Sequence, residues 1–270
     1  EELGLADRHQ RRPLAIASCG NAAIAASTLA KTAGWPIQVY VPMIDGGPVI
    51  DTLTALGAQI NRCARVEGEA GDPAVLRFRE AVAGGAIPFS VQGPENGLCL
   101  DGGRTIGWEL REALQAPARV LIQVGGGAFA ACMGWGLGEG YQLDTAQTAG
   151  GAPLNRAWTL ASGVPADELG RRWSDFMTPW EGPHSLADGI LDDETYDWQA
   201  DFDVMRVSGG RPIVVSEDAV EQAWALAKET GVNVSPTGSA GLAGLLPGAS
   251  GSRVSPGERV AIVFSGVFRG

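Results

Sequence analysis

The first third of the chain alternates between short apolar runs and longer segments with helical periodicity. The apolar runs have strand length and predict strands over 14–17, 37–41, 58–61 and 87–91. The segments between them begin at Asn or Pro and end near Gly, which predicts helices over 21–33, 48–56 and 73–83. This order with short loops is typical of a parallel sheet with helices on both faces.

A cluster of turn-forming residues at 93–97 separates this region from the rest of the chain. Beyond it, apolar runs predict strands over 119–124, 141–147, 204–207, 212–215 and 260–264. Helical patterns predict helices over 103–114, 128–136, 153–162 and 216–230. We therefore predict the α/β class, with a small α/β domain over 13–92 and a large α/β domain over 93–270.

The charge, the apolar runs and the cysteine and histidine content of the chain argue against several classes of function. A formal net charge of −11 over 270 residues argues against nucleic acid and anionic membranes as partners. No apolar run reaches the length needed to span a membrane. The four cysteines form no CxxC pair and the first residues do not resemble a signal peptide, so we expect thiols and a cytoplasmic protein. With only two histidines, we predict no His-rich metal site and no Ser-His-Asp triad.

The turn from Ser18 to Ala22 is the first candidate for chemistry, because it joins a predicted strand to a predicted helix. Backbone N–H groups at such a turn can hold a carboxylate or a phosphate, helped by the helix dipole. Gly20 lets a ligand approach the backbone closely, and Asn21 offers both a donor and an acceptor. An ordinary turn with Asn21 as the N-cap residue explains the same pattern.

The three glycines from Gly125 to Gly127 form the second candidate, again between a strand and a helix. The amides from Gly125 to Phe129 can converge on one dianion without any side chain. The same stretch also matches a dinucleotide fingerprint, Gly125-x-Gly127-x-x-Ala130, with Asp144 where a ribose partner is expected. A tight turn without a ligand is the third interpretation.

In this order and spacing, five motifs resemble the fold type II pyridoxal-phosphate (PLP) enzymes, which include threonine synthase, threonine/serine dehydratase and serine racemase. The motifs are Ser18-Cys19-Gly20-Asn21-Ala22, Gly102-Gly103-Arg104-Thr105-Ile106-Gly107-Trp108-Glu109, Val124-Gly125-Gly126-Gly127, Pro236-Thr237-Gly238-Ser239-Ala240 and Phe264-Ser265-Gly266. The resemblance implies two three-layer α/β domains with mostly parallel sheets and pyridoxal 5'-phosphate as the cofactor.

The resemblance also implies roles for individual residues. The first turn would bind the carboxylate of a small amino-acid substrate, through Ser18, Cys19, Gly20 and Ala22. The cofactor would be held by Asn21, Gly125, Gly126, Gly127, Ala128 and Ser265. Ser265 would face the pyridine nitrogen, and a neutral hydroxyl there favours elimination or replacement over transamination. The implied activity is β-elimination or β/γ-replacement on a small hydroxy- or phosphohydroxy-amino acid, and we also expect a homodimer.

The lysine that forms the Schiff base in this family has no counterpart here. The only lysines are Lys31 and Lys228, and neither occupies the family position upstream of the first turn. We therefore expect the N-terminal part of the large domain, with that lysine, to be missing from this chain. Two alternatives remain open: a dinucleotide-binding domain of the Rossmann type, and a relative that binds PLP without turning over a substrate.

Overall fold

A computed structural model describes residues 11–247, 249 and 254–267. The chain divides into two compact units, of which one ends at Val91 and the other begins at Gln92. Each unit is built on a four-stranded sheet in which every pair of neighbouring strands is parallel. The predicted α/β class with parallel sheets is confirmed. No helix in the described part of the chain is long and apolar enough to cross a membrane.

The first unit follows the predicted alternation closely. Its strands, in the spatial order β3-β2-β1-β4, are β1 (Leu14–Ala17), β2 (Ile37–Pro42), β3 (Gln59–Cys63) and β4 (Ile87–Pro88). Its helices are α1 (Asn21–Ala33), α2 (Pro48–Leu56) and α3 (Pro73–Ala83). Pro at the start of α2 and α3, the side chain of Asp72 capping α3, and left-handed Gly34 and Gly57 after α1 and α2 set these boundaries.

Both faces of the first sheet are covered, because successive side chains of a strand point to opposite faces. Leu14 and Ile16 of β1 pack in one apolar cluster with residues of α1 and α2. Ala15, between them, packs in another cluster with Phe78 of α3. The unit therefore has three layers, with the central strand β1 buried from both sides.

The second unit has the sheet order β7-β6-β5-β8. Its strands are β5 (Ala118–Gln123), β6 (Tyr141–Thr148), β7 (Pro212–Val215) and β8 (Val260–Ile262). Its helices are α4 (Gly97–Gly103), α5 (Thr105–Ala113), α6 (Ala128–Leu137), α7 (Pro153–Leu160), α8 (Ala166–Leu169), α9 (Trp173–Phe176), α10 (Trp198–Ser208), α11 (Glu217–Glu229) and α12 (Pro236–Ala243). A 3₁₀ turn spans Asp188–Ile190.

The central strand β5 is buried along its whole length. Val120 and Ile122 pack in a cluster that includes side chains of α6 and α10. Leu121 points to the opposite face, in a cluster with side chains of α11 and α12. Because all four strands are parallel, their carboxyl ends meet at one edge of the sheet, where the glycine turn after β5 and the segment after β8 both lie.

One predicted strand is wrong. Residues 204–207 belong to helix α10, whose side chains Trp198, Phe202 and Met205 are buried while Val207 is exposed. The spacing of those three residues is that of a helix face, and Trp198 and Phe202 lie outside the short apolar run from which the strand was predicted. The single helix predicted over 103–114 is instead divided, with α4 ending at Gly103 and α5 beginning at Thr105.

Candidate active site

The turn after β1 presents the N-terminus of α1. The backbone N–H of Ser18 donates to Tyr40 O (3.1 Å), which extends the pairing of β1 with β2 by one residue. Gly20, with φ −134° and ψ −147°, occupies the N-cap position, and no side chain caps the helix. Asn21 is the first residue of the helix, so the interpretation of Asn21 as a capping residue is wrong.

This first turn is open. The side chains of Cys19 and Asn21 are exposed, and a Cβ atom on Gly20 would have no neighbour within 4 Å. The backbone N–H of Gly20 lies 3.3 Å from Ser18 Oγ. No acidic residue lies in the first turn of α1, a helix of 13 residues. The positive end of this helix is therefore available to a carboxylate.

The turn after β5 presents the N-terminus of α6. Gly127 occupies the N-cap position with φ +98°, a conformation that favours glycine, and no side chain caps the helix. The first turn of α6 contains no acidic residue. The backbone at the start of this helix therefore offers donors to an anion, as the phosphate-cradle interpretation requires.

Unlike the first turn, this one is closely surrounded by side chains. A Cβ atom on Gly125 would lie 2.5 Å from Asp192 Oδ2, and one on Gly126 would lie 2.4 Å from Gln92 Nε2. A Cβ atom on Gly127 would lie 2.4 Å from Asp201 Oδ2. Such distances are far shorter than van der Waals contact, so a side chain at any of the three positions would require the facing Asp192, Gln92 or Asp201 side chain to move.

Two buried carboxyl groups beside the glycine turn were not predicted from the sequence. The backbone N–H of Asp197 donates to Gly126 O (2.8 Å), and the Asp197 carboxyl accepts from the backbone N–H of Gly93 (2.9 Å). Burial raises the pKa of Asp197 to about 7. Asp201, which has no exposed surface, has a pKa well above its ordinary value, because of its burial and of the nearby Asp197 charge.

A signal for this pair was present in the sequence. Asp197 and Asp201 are four residues apart, so they lie on the same side of a helix turn. They fall in residues 197–203, for which no helix or strand was predicted. Only recognition of helix α10, with Asp197 at its N-cap position, would have shown that both carboxyl groups belong to one face.

Ser265 lies beyond the end of β8 and contacts the last residue of β5. The side-chain amide of Gln123 donates to Ser265 Oγ, and Gln123 Oε1 accepts from the backbone N–H of Gly241 (3.3 Å). The backbone N–H of Ser265 donates to Gly238 O (3.2 Å). Within the second unit, the predicted ring-nitrogen residue and the glycine turn therefore lie at the ends of adjacent strands.

The glycines of α12 allow this arrangement. A Cβ atom on Gly238 would lie 2.3 Å from Gly266 O, and one on Gly241 would lie 3.1 Å from Gln123 Oε1. The helix backbone therefore lies directly against the segment containing Ser265 and against the end of β5. The motif from Pro236 to Ala240 thus contributes close packing behind Ser265.

The dinucleotide interpretation conflicts with the position of Asp144. This residue lies within β6, paired with Leu121, and its carboxylate is fully buried. It forms an ion pair with Arg119 (Nε–Oδ2, 2.6 Å) and accepts from the backbone N–H of Arg211 (2.9 Å). A carboxylate engaged inside the sheet cannot bind a ribose at the strand ends, so this alternative loses its acidic partner.

Both lysines lie on the surface, in contacts of their own. The Lys31 amine donates to Ala55 O (3.0 Å), and the Lys228 amine lies 3.9 Å from the centre of the Trp224 ring. Lys31 lies in the last turn of α1 and Lys228 in the last turn of α11. Among the described residues, no group of three or more His, Cys, Asp or Glu side chains is placed to hold a metal ion.

Comparison with known proteins points to one family. The family described as pyridoxal-phosphate dependent enzyme matches residues 2–266. A serine dehydratase-like protein of Rattus norvegicus is 32% identical over 130 residues, which are 47% of this chain and 38% of that protein. Threonine synthase of Mycobacterium tuberculosis is 24% identical over 269 residues, 96% of this chain and 68% of that enzyme. The chain thus spans only part of the length of these relatives.

The fold has relatives among solved structures. Maize serine racemase superposes with a TM-score of 0.74 at 18% sequence identity, over 98% of this chain and 76% of that one. At this identity the likeness shows the shared fold alone. It agrees with the two parallel sheets described above.

Proposed function

Since the chain belongs to the family of pyridoxal-phosphate dependent enzymes, with their fold type II architecture and their cofactor, we propose that it is an amino-acid lyase or synthase. The proposed reaction is β-elimination or β/γ-replacement on a small hydroxy- or phosphohydroxy-amino acid. The observation that carries the proposal is a neutral hydroxyl, Ser265, at the end of the strand beside the glycine turn.

The residues of the second unit fit the cofactor. A phosphate needs several N–H donors, and α6 supplies them from an uncapped N-terminus preceded by glycines whose Cβ positions are closely approached by neighbouring side chains. Gly125, Gly126, Gly127 and Ala128 would hold the phosphate. Ser265 would meet the pyridine nitrogen. The raised pKa of the buried Asp201 favours its neutral form, and the pKa of Asp197, about 7, leaves that group partly neutral near neutral pH, so both repel a nearby phosphate less than ionised carboxylates would.

The identity of the group at the pyridine nitrogen decides how strongly the cofactor withdraws electrons. When bound, PLP draws into its ring the electron pair of a bond broken at the substrate α-carbon. Ser265 carries no charge, so it can donate its hydroxyl proton to an unprotonated ring nitrogen without forcing that nitrogen to become cationic. A weaker electron sink favours rapid loss of a β-substituent, which supports elimination or replacement.

For the substrate, the open turn after β1 is the proposed carboxylate site. Ser18, Cys19, Gly20 and Ala22 lie at the uncapped start of α1, which favours an anion. The exposed Asn21 side chain is proposed to contact the cofactor, as the family resemblance implies. A small amino acid would bind through its carboxylate at this turn.

A first experiment separates binding from turnover. The purified chain is incubated with PLP and dialysed, and retained cofactor is measured by its absorbance beyond that of the protein. Serine, threonine and a phosphohydroxy-amino acid are then assayed for release of keto acid, phosphate or a replacement product. Retention supports the assignment of the glycine turn, and no retention contradicts it. Because neither lysine of this chain matches the position of the Schiff-base lysine, turnover requires an added amine, so each assay is run with and without methylamine. Product formed with the amine supports the lyase or synthase proposal, and no product under either condition favours the non-catalytic relative.

The lysine question can be tested in the same material. Lys31 and Lys228 have surface contacts, so we propose that the amine required by this chemistry lies outside this chain. Borohydride treatment of the loaded protein followed by mass analysis of peptides checks this: labelled Lys31 or Lys228 would contradict it. The expected homodimer and the cytoplasmic location remain predictions, and sedimentation of the purified protein tests the first.

A further inference from the structure

We propose that Gln123 is a positioning residue that turns the Ser265 hydroxyl into a hydrogen-bond donor toward the pyridine nitrogen of the cofactor. This inference rests on the proposed function, because it requires a cofactor ring beside Ser265. It adds a residue that none of the five motifs includes, and it explains how one orientation of a serine proton is selected.

The orientation of the Gln123 amide follows from its partners. The backbone N–H of Gly241 can only donate, so the atom of Gln123 that faces it must be the carbonyl oxygen Oε1 (3.3 Å). The amide nitrogen Nε2 is then the atom that faces Ser265. Gln123 is only 5% exposed and its contact with Gly241 is buried, whereas Ser265 is exposed and its contact with Gln123 is partly buried.

The direction of the Ser265 hydroxyl follows in turn. The NH₂ group of Gln123 can only donate, so Ser265 Oγ must accept from it, and the hydroxyl proton cannot point back at Gln123. That proton is left for another acceptor. An unprotonated pyridine nitrogen is an acceptor, whereas a protonated one is a donor. The series of hydrogen bonds from the Gly241 N–H through Gln123 to Ser265 therefore favours a pyridine ring whose nitrogen is unprotonated.

The fold makes this chain of contacts rigid. Gln123 is the last residue of β5, Ser265 follows the neighbouring strand β8, and Gly241 lies in α12, which packs on the same strand. Gly241 has too little space for a side chain without displacing Gln123 Oε1. Each of the three groups is thus held by a different element, so rotation of the Gln123 amide would break two hydrogen bonds.

The test measures protonation of the ring and does not depend on turnover. The chain and its variants are loaded with PLP labelled with ¹⁵N in the ring, and the ¹⁵N resonance is followed as a function of pH. In Gln123→Met, which keeps the length but cannot donate, the protonation midpoint of the ring nitrogen should move to higher pH. In Gln123→Glu it should move further wherever the new carboxylate is ionised, because Ser265 then donates to Glu and accepts from the ring.

The controls separate a specific role from a structural one. In a Ser265→Ala background, Gln123→Met should produce no further change of the midpoint, because its effect passes through the hydroxyl. Ser265→Asp provides the reference for a protonated ring. Thermal unfolding of each variant reports lost packing, which by itself would leave the midpoint unchanged.

Two failures are distinguishable. If the unsubstituted chain retains no PLP, the proposed function fails and this inference fails with it. If it retains PLP but Gln123→Met and Gln123→Glu both leave the ring midpoint where it was, Gln123 only packs, and the positioning role alone is overturned. An equal shift in the Ser265→Ala background would also overturn it, since the effect would not pass through Ser265.

Discussion

The two strand–turn–helix segments that lead into α1 and α6 have the same local backbone arrangement but differ in how closely other side chains approach the turn. In both, a buried strand runs into a glycine-containing turn, and a helix follows with no side-chain cap. Gly20 in the first turn has no neighbour at its Cβ position, whereas Gly125, Gly126 and Gly127 in the second are each closely packed. The comparison indicates that the glycine of the first turn leaves space for a ligand, whereas the glycines of the second turn leave space for the neighbouring side chains.

The largest effect should come from a methyl group added to the second turn, with the same addition in the first turn as the comparison. Gly127→Ala would place an alanine at φ +98° and push its Cβ against the Asp201 carboxyl, so we expect a loss of about 3 kcal/mol or more in the free energy of unfolding. Gly20→Ala, with φ −134° and open space, should change it by less than about 1 kcal/mol. Urea unfolding measures both. Similar losses would remove the contrast between the turns.

A charge added to the second turn tests the phosphate cradle. Gly126→Asp would introduce a carboxylate beside Gln92, at the proposed phosphate position, so PLP retention after dialysis should be abolished by electrostatic repulsion and by loss of space. Gly126→Asn, of nearly the same size but uncharged, is the matched control for the steric part and should be less severe. Cofactor content equal to that of the unsubstituted protein in Gly126→Asp would show that the cradle lies elsewhere.

The buried acids beside the second turn predict a pH dependence of stability. Asp197 has a folded pKa of about 7, against about 4 when unfolded. Between these values the folded state holds a proton that the unfolded chain has released, so stability should fall as pH rises through this window. Asp201 acts in the same direction. Asp197→Asn, which can still accept from Gly93, should flatten the fall.

Asp203 offers a comparison on the same helix. Burial raises its pKa, but the nearby Arg206 opposes the shift. Asp203→Asn should therefore flatten the pH profile less than Asp197→Asn does. Urea unfolding at intervals from pH 4 to pH 8 measures the three profiles, and a profile of Asp197→Asn parallel to that of the unsubstituted protein would contradict the assignment.

The smallest effect concerns two thiols, one in each unit. Cys19 in the first turn is exposed, whereas Cys132 in α6 is buried and its pKa is raised to about 12, mainly by burial. A thiol reagent at pH 8 should therefore modify Cys19 quickly and leave Cys132 unmodified in the folded protein. Peptide mass analysis identifies the labelled residue. Serine or threonine at saturating concentration should slow labelling of Cys19 if the first turn binds the substrate carboxylate.

Most elements of the fold could be predicted because their signals are local. Helices α1, α2 and α3 begin and end at the predicted residues, since Pro, Gly and the apolar spacing act within a few positions along the chain. The strand predicted over 204–207 failed for a related reason. A short apolar run looks the same in a sequence whether it forms a buried strand or one side of a helix. Here the helix forms because Trp198 and Phe202 on the same helix face are buried in the core.

The candidate site was predictable only in its backbone parts. Glycine turns after apolar runs are visible in any sequence, and they indicated anion-binding positions at both turns. Asp144 has the spacing of the ribose partner in a dinucleotide fingerprint, but its carboxylate forms an ion pair with Arg119 instead. That ion pair depends on which strands are neighbours in the sheet, which the spacing does not show. The packing of Asp201 against Gly127 likewise joins residues that no local pattern connects.

By itself, the sequence determined the α/β alternation, the two candidate anion-binding turns and the family to which the chain belongs. Only the tertiary structure decided which side chains complete the site. Gln123 and Ser265 are 142 positions apart and meet because β8 lies beside β5 in the sheet. Periodicity, capping and turn chemistry act over a few residues, whereas the order of strands in a sheet depends on how whole elements bury their apolar faces together.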